Sequence, residues 1–487
     1  MIDLTRNEAQ IEKNAKLCAE RDIILPTYAQ MADPSLIPEK IKEELKSIDR
    51  DEVHSRNLFR VGWENEPVES GGGFSGVNYL EIPSEISGVK ARIIGLGGKF
   101  LPTGSHKVGA AYSCLAPTLI TGQFDPEKNM AVWPSTGNYC RGGAYISRLL
   151  ACKSIAILPE EMSQERFNWL KNMADETIAT PGSESNVKEI FDKCHELDEE
   201  HGEGIFIFNQ FDQMPNPLWH HEITGPSMEK VYNAEAGGRS RLAGVCLSSG
   251  SGGTLGSGTY LRNKFPGAKV AVSEAKQCPT LLDNGFGAHR IEGIGDKHVP
   301  WVHNVKDTDI VAAIDDEHTM RLLRLFNEPV GQEYLKSKGV KPEILDRLNW
   351  LGISSICNML TAVKMAKYYE LTEDDVIMTV FTDSEGMYTS RLKELTAERG
   401  AYTRDDAIAD YEMLQQVGID FLLELRYEDK KRIHNLKYYT WIEQQGKTYE
   451  EINAQWYDRD YWENIYGVRE ELDKMIIEFN KKVESYR

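Results

Sequence analysis

Positive charge is in short supply along this chain of 487 residues: 56 Lys and Arg stand against 76 Asp and Glu, a formal net charge of −20. A field of that sign repels phosphate backbones and anionic headgroups, so neither nucleic acid nor membrane is expected as a partner. Long apolar runs are absent as well, and nothing approaches the roughly 20 residues that a membrane span requires. The opening Met1-Ile2-Asp3-Leu4-Thr5-Arg6-Asn7-Glu8 has no basic region followed by an apolar core, so no signal peptide is expected. The eight cysteines are scattered singly, without a CxxC pair. Reduced thiols in a cytoplasmic protein are the plain reading. His220-His221, and His298 with His303, have no carboxylate or cysteine at ligand spacing, and no metal is expected.

What is present is an apolar fraction of 41% and a charged fraction of 27%, the make-up of a soluble globular protein large enough for more than one domain. Charged helical patterns occupy Ala9–Glu20 and Pro38–Ile48. The loop Glu69-Ser70-Gly71-Gly72-Gly73-Phe74-Ser75-Gly76 lacks the Lys-Ser/Thr of a P-loop and reads as a flexible turn. From about 95 to 395 short β-rich runs alternate with helical ones: Met130–Pro134 before Arg141–Leu150, Ser154–Leu158 before Gln164–Met173, and Gly204–Phe208 before a loop. Ala243–Leu247 before Thr254–Phe265, Lys269–Ser273, and Val376–Phe381 before Tyr388–Leu395 continue the pattern. That alternation predicts an α/β fold with largely parallel sheets, whose ligands bind where loops leave the carboxyl ends of strands.

Four stretches hold residues suited to chemistry. In Leu101-Pro102-Thr103-Gly104-Ser105-His106-Lys107 the chain is broken by Pro and Gly just before a helix, which puts Lys107 on the first turn. There the helix dipole disfavours the ammonium and helps keep the amine nucleophilic. Ser135-Thr136-Gly137-Asn138 follows a strand and opens a helix, which suits a carboxylate. Ser249-Gly250-Ser251-Gly252-Gly253-Thr254 does the same with glycines that let a phosphate approach the backbone. A dinucleotide site would use Glu274 as its ribose acid, but its third glycine would fall at Leu255. Thr382-Asp383-Ser384 after Val376–Phe381 is the last.

In this order, these loops resemble the fold-type II pyridoxal-phosphate (PLP) enzymes, in particular the cysteine synthase and cystathionine β-synthase group. Leu158–Arg166, Thr180-Pro181-Gly182, Asn209-Gln210-Phe211-Asp212 with Asn216-Pro217 and Thr224-Gly225-Pro226, Gly250–Thr254, His289–Gly295, Gly352-Ile353-Ser354-Ser355 and Asp383-Ser384 with Tyr388 carry the likeness over residues 95 to 395. The lysine segment itself is similar to that of the tryptophan synthase β chain, whose catalytic glutamate would fall at Ser135. Tyr139 and Cys140 replace smaller family residues beside the substrate loop.

The resemblance implies a two-lobed α/β fold with extra N- and C-terminal helical segments. Residues 1–95 would be an N-terminal extension, 96–235 the lobe with the lysine and asparagine loop, 236–395 the lobe with the phosphate loop, and 396–487 a mostly helical extension. It implies pyridoxal 5'-phosphate as cofactor, with Lys107 as Schiff-base lysine and proton carrier. Asn138 would meet the phenolic oxygen; Gly250, Ser251, Gly252, Gly253 and Thr254 the phosphate; Ser384 the pyridine nitrogen. Ser135, Thr136, Gly137, Tyr139 and Gln210 would line the substrate site. The implied reaction is β-elimination or β-replacement on a small β-substituted amino acid through an aminoacrylate. The alternatives are threonine-synthase-like or ammonia-lyase activity, a PLP-binding subunit that needs a partner or lacks catalysis, and, from the residues alone, a dinucleotide oxidoreductase. A homodimer is expected. Val468, Leu472, Met475, Ile476, Phe479 and Val483 form one helical face suited to an internal or an oligomeric contact.

Overall fold

The computed structural model describes residues 2–237 and 240–487. Residues 1, 238 and 239, which fall in the expected N-terminal extension and phosphate-loop lobe, lie outside the described residues. The chain folds into two sheets. Their strands are β1 Tyr79–Ile82, β2 Arg92–Gly97, β3 Met130–Pro134, β4 Ser154–Pro159, β5 Glu176–Thr180, β6 Ile205–Ile207, β7 Arg241–Ser248, β8 Lys269–Ala275, β9 Ile310–Ile314, β10 Asp375–Phe381 and β11 Leu422–Glu424. The smaller sheet runs β5-β4-β3-β6, with every pair parallel. The larger runs β1-β2-β10-β7-β8-β9-β11, parallel through its middle and antiparallel only at its two edges.

The inner strands read as nearly continuous apolar runs because both of their faces are covered. Along β10, Val376, Met378 and Val380 enter one core while Ile377 and Phe381 enter the other. Along β8, Val270 and Val272 oppose Ala271 and Ala275 in the same way, as the two-residue period of a strand dictates. The helix Ile353–Tyr368 packs on the second face.

The boundary expected at residue 95 falls inside β2. The first two strands extend the large sheet, while Glu8–Glu20 packs on Lys107–Thr121 of the lysine lobe. Beyond residue 395 the chain is mostly helical, yet β11 closes the large sheet's far edge against β9. The apolar face of Arg469–Ser485 is covered by the chain's own Glu8–Glu20, with Leu472, Ile476, Phe479 and Val483 buried. Three further contacts dock this extension. Lys447 reaches Asp212 at 2.8 Å. Trp441 Nε1 donates to the Val299 carbonyl at 2.8 Å. Lys437 Nζ, fully buried, donates to the carbonyls of Trp301 and His303 and to Gln455 Oε1, at 2.8, 2.7 and 2.7 Å. No helix among the described residues is long and apolar enough to cross a membrane.

Candidate active site

Every stretch singled out for chemistry leaves the carboxyl end of a strand. Lys107 follows β2, Ser135–Asn138 follow β3, Gln210 follows β6, the glycine loop follows β7, and Asp383 follows β10. Two left-handed residues, Thr103 and Gly104 with φ of +65° and +68°, turn the chain before Lys107–Thr121. Ser105 Oγ accepts the Lys107 N–H at 3.4 Å. Lys107 is thus the first helical residue, as expected. Its amine is held by Ser251 Oγ at 2.8 Å and Gln210 Oε1 at 3.1 Å, and burial lowers its pKa to about 8.

From that amine a continuous set of bonds joins the predicted loops. Gln210 Nε2 donates to Ser135 Oγ at 3.2 Å, and Ser135 Oγ also accepts the Gly137 N–H at 3.0 Å. Asn216 Nδ2 donates to the Gln210 carbonyl at 2.8 Å and to Ser251 Oγ at 3.3 Å. Thr136 lies against the buried Glu184 carboxyl. Tyr139 turns into the core, edge-on to Trp133 with centroids 5.3 Å apart, and Cys140 Sγ donates to the Gly137 carbonyl at 2.9 Å.

The glycine loop fits a phosphate on its own geometry. Among the described residues, the N–H groups of Ser251, Gly252, Gly253 and Thr254 have no protein acceptor, and they precede the helix Leu255–Lys264, an arrangement suited to a multiply charged anion. Gly252 has φ +77°, which an L side chain rarely adopts, and a Cβ on Gly253 would overlap Asn216 Oδ1. Asn138 Oδ1 is buried without a partner, a further polar atom for a bound group to satisfy. The residues present therefore fit an imine-forming cofactor that carries a phosphate.

At the far end, Asp383 is fully buried. Its Oδ2 accepts from Asn138 Nδ2 and from the Tyr388 hydroxyl, both at 2.7 Å, and lies 3.5 Å from Arg166. Ser384, one residue on, is half-buried and lies outside this set of bonds. The glutamate at ribose-acid spacing is structural, since Glu274 accepts the N–H groups of Leu281 and Leu282, each at 2.8 Å. His220 Nδ1 meets Thr224 Oγ1 at 2.9 Å, His221 stacks on Tyr466, His298 lies edge-on to Phe211 and Phe191, and His303 Nε2 meets Thr308 Oγ1 at 2.8 Å. No group of three or more His, Cys, Asp or Glu among the described residues is placed to hold a metal.

Four residues in or beside this site have no role that the sequence alone suggests. Asn216 and Asp383 lie inside motifs that are themselves legible. Glu184 and Asp296 each lie just past one, after Thr180-Pro181-Gly182 and after Gly295 respectively. Adjacency to those motifs is the available signal.

Known proteins of similar sequence and fold are found. A family profile described as pyridoxal-phosphate dependent enzyme matches residues 99–333. A cysteine synthase of Staphylococcus aureus is 30% identical over 290 residues, 59% of this chain and 84% of that protein. Cystathionine beta-synthase of Saccharomyces cerevisiae is 28% identical over 313 residues, 62% of this chain and 58% of that protein. Among solved structures, a hydrogen sulfide-producing enzyme of Fusobacterium nucleatum superposes with a TM-score of 0.54 at 23% identity, covering 64% of this chain and 95% of that one. A cysteine synthase of Entamoeba histolytica does so with a TM-score of 0.57 at 20% identity, covering 69% and 92%.

Proposed function

Because the chain belongs to the pyridoxal-phosphate dependent enzymes, we propose that it eliminates or replaces the β substituent of a small serine- or cysteine-type amino acid, with Lys107 as both anchor and base. The observation that carries this is the position of the Lys107 amine, shared between Ser251 of the glycine loop and Gln210 of the substrate loop. When bound, pyridoxal 5'-phosphate supplies the electron sink that acidifies a substrate Cα–H. The chain's residues do the rest. The N–H groups from Ser251 to Thr254, with Gly250 ahead of them, would hold the phosphate, and Asn138, whose Oδ1 is buried without a partner, would meet the phenolic oxygen. Ser135, Thr136, Gly137 and Gln210 bind the amino acid's carboxylate, so that its Cα–H points at Lys107. Burial lowers the Lys107 pKa to about 8, so a much larger share of its amine is free to accept that proton near neutral pH than in a solvated lysine.

The S. aureus relative is a cysteine synthase and the yeast one a cystathionine beta-synthase, and both names fit β chemistry on a serine-type skeleton. The reading includes a cytoplasmic homodimer, with the extension after residue 395 supporting the catalytic lobes. A second, partner subunit belongs to the alternative in which the chain alone holds the cofactor without turnover.

The test is a donor panel of O-acetylserine, O-phosphoserine, cysteine, serine and alanine, with and without a thiol. β-Substituted donors give either a thioether or a keto acid with ammonia, and alanine gives little amino transfer. Sustained transfer of the amino group to a keto acid contradicts the proposal.

A further inference from the structure

The glycine loop carries no charged side chain from Ser249 to Gly256, so its own residues offer a phosphate only N–H and hydroxyl groups. One buried imidazole stands against the loop. His303 is 1% exposed. Its Cβ and that of Pro300 lie 3.6 and 3.5 Å from the place a Cβ on Gly252 would take. Its Nε2 meets Thr308 Oγ1 at 2.8 Å, while its Nδ1 is buried with no partner. Such an atom calls for a partner, and the neighbouring N–H groups from Ser251 to Thr254 likewise lack a protein acceptor. The Thr308 hydroxyl can donate to Nε2, which places the ring proton on Nδ1.

The C-terminal extension fixes this imidazole from the far side. Lys437 Nζ donates to the His303 carbonyl at 2.7 Å, to the Trp301 carbonyl at 2.8 Å and to Gln455 Oε1 at 2.7 Å. Trp441 Nε1 donates to the Val299 carbonyl at 2.8 Å. The Val302 N–H donates to the Phe211 carbonyl at 3.2 Å, next to Gln210. The stretch 299–303 is thus held by its backbone while Pro300 and His303 lie against Gly252. Three acceptors take all three protons of an ammonium, whereas a neutral amine has only two to give. Lys437 is fully buried, burial opposes its charge, and no carboxylate among the described residues acts on it. An anion in the glycine loop, on the other side of His303, offsets that charge.

We propose that His303 is a further ligand of the cofactor phosphate, donating its Nδ1–H, and that Lys437 is the positioning residue that holds it there and places a positive charge behind it. The inference rests on the assignment of the glycine loop to the phosphate. It makes the extension part of the cofactor site, although the family profile ends at residue 333.

The experiment titrates the cofactor-free, full-length protein with pyridoxal 5'-phosphate and with pyridoxal, which can form the same imine but has no phosphate. His303→Leu should raise the dissociation constant for pyridoxal 5'-phosphate about tenfold to a hundredfold, the range for a hydrogen bond to a charged group. The constant for pyridoxal should stay as in wild type. His303→Asn, whose amide N–H can stand in for Nδ1–H, should recover most of the loss. Lys437→Met should weaken pyridoxal 5'-phosphate by a smaller factor and again spare pyridoxal. Nitrogen NMR of wild type should show a protonated Nδ1 signal, missing from His303→Asn, that shifts with pyridoxal 5'-phosphate and not with pyridoxal. No loss in His303→Leu, equal losses for the two ligands, no recovery in His303→Asn, or an Nδ1 signal blind to the phosphate each overturn the ligand role. Lys437→Met that binds both ligands as wild type does overturns the positioning role. Gly252→Val in the same assay separates the two readings. A phosphate-selective loss there with none in His303→Leu removes His303 and leaves the loop, and no selective loss in either variant removes both.

Discussion

Asn138 Nδ2 donates to Asp383 Oδ2 at 2.7 Å across the two sheets. The bond joins the loop after β3 to the loop after β10, 245 residues apart in sequence, at the buried end of the site. The same oxygen accepts the Tyr388 hydroxyl at 2.7 Å, and Arg166 lies beside both. Asp383→Ala leaves two buried donors, the Asn138 amide and the Tyr388 hydroxyl, without their acceptor, while Arg166 keeps its ion pair with Glu292. It should cost about 2–4 kcal/mol of stability, with Asp383→Asn recovering part of that by keeping an acceptor. Urea unfolding of the three proteins measures it, and a loss below about 1 kcal/mol for Asp383→Ala would show that the bonds are incidental.

The phosphate loop gives a cleaner test, because the backbone does the binding. Gly252→Val imposes a side chain on a residue at φ +77° and should raise the dissociation constant for the cofactor tens-fold, about 2 kcal/mol. Equilibrium dialysis reads it. Unchanged retention would remove the loop from the site.

Burial brings the Lys107 pKa down to about 8 from the ordinary lysine value of about 10.4. Only the free amine attacks an aldehyde. The rate at which cofactor-free protein takes up pyridoxal 5'-phosphate should therefore rise about tenfold per pH unit below 8 and level off above it. A rate still climbing at the same slope toward pH 10 would show an ordinary, solvated lysine.

The extension after residue 395 bears on the glycine loop through the segment beneath it. A Cβ on Gly252 would lie 3.6 Å from the His303 Cβ, and the His303 and Trp301 carbonyls are held by Lys437. Trp441→Phe removes the indole N–H that satisfies the Val299 carbonyl and should cost about 1–3 kcal/mol. Ending the chain at 395 should expose apolar surface, seen as dye binding, and weaken cofactor retention. A truncated chain that stays soluble and holds the cofactor as firmly would make the extension dispensable.

Much of this is legible in sequence, for local reasons. Met130–Pro134 and Gln164–Met173 carry their own period and end signals, and the structure places them with those bounds. Lys107 at a helix start can be read from Pro102, Gly104 and the small residues that follow. What is not legible depends on distant chain. β1 and β2 join a sheet whose next strand, β10, lies about 280 residues on, and no local pattern encodes that partner. Glu274 stands at the spacing of a ribose acid, and only the fold shows it capping Leu281 and Leu282. Tyr139 looks like a pocket residue by its place in the loop, yet its ring packs against Trp133.

The central claim is that Lys107 carries the cofactor, and reduction of the loaded protein with borohydride tests it most directly. The account predicts loss of the yellow absorbance and one modified peptide, the one that contains Lys107, with no fixation in Lys107→Ala. Fixation on another lysine, or an unmodified Lys107 peptide from a fully reduced and colourless sample, would contradict it.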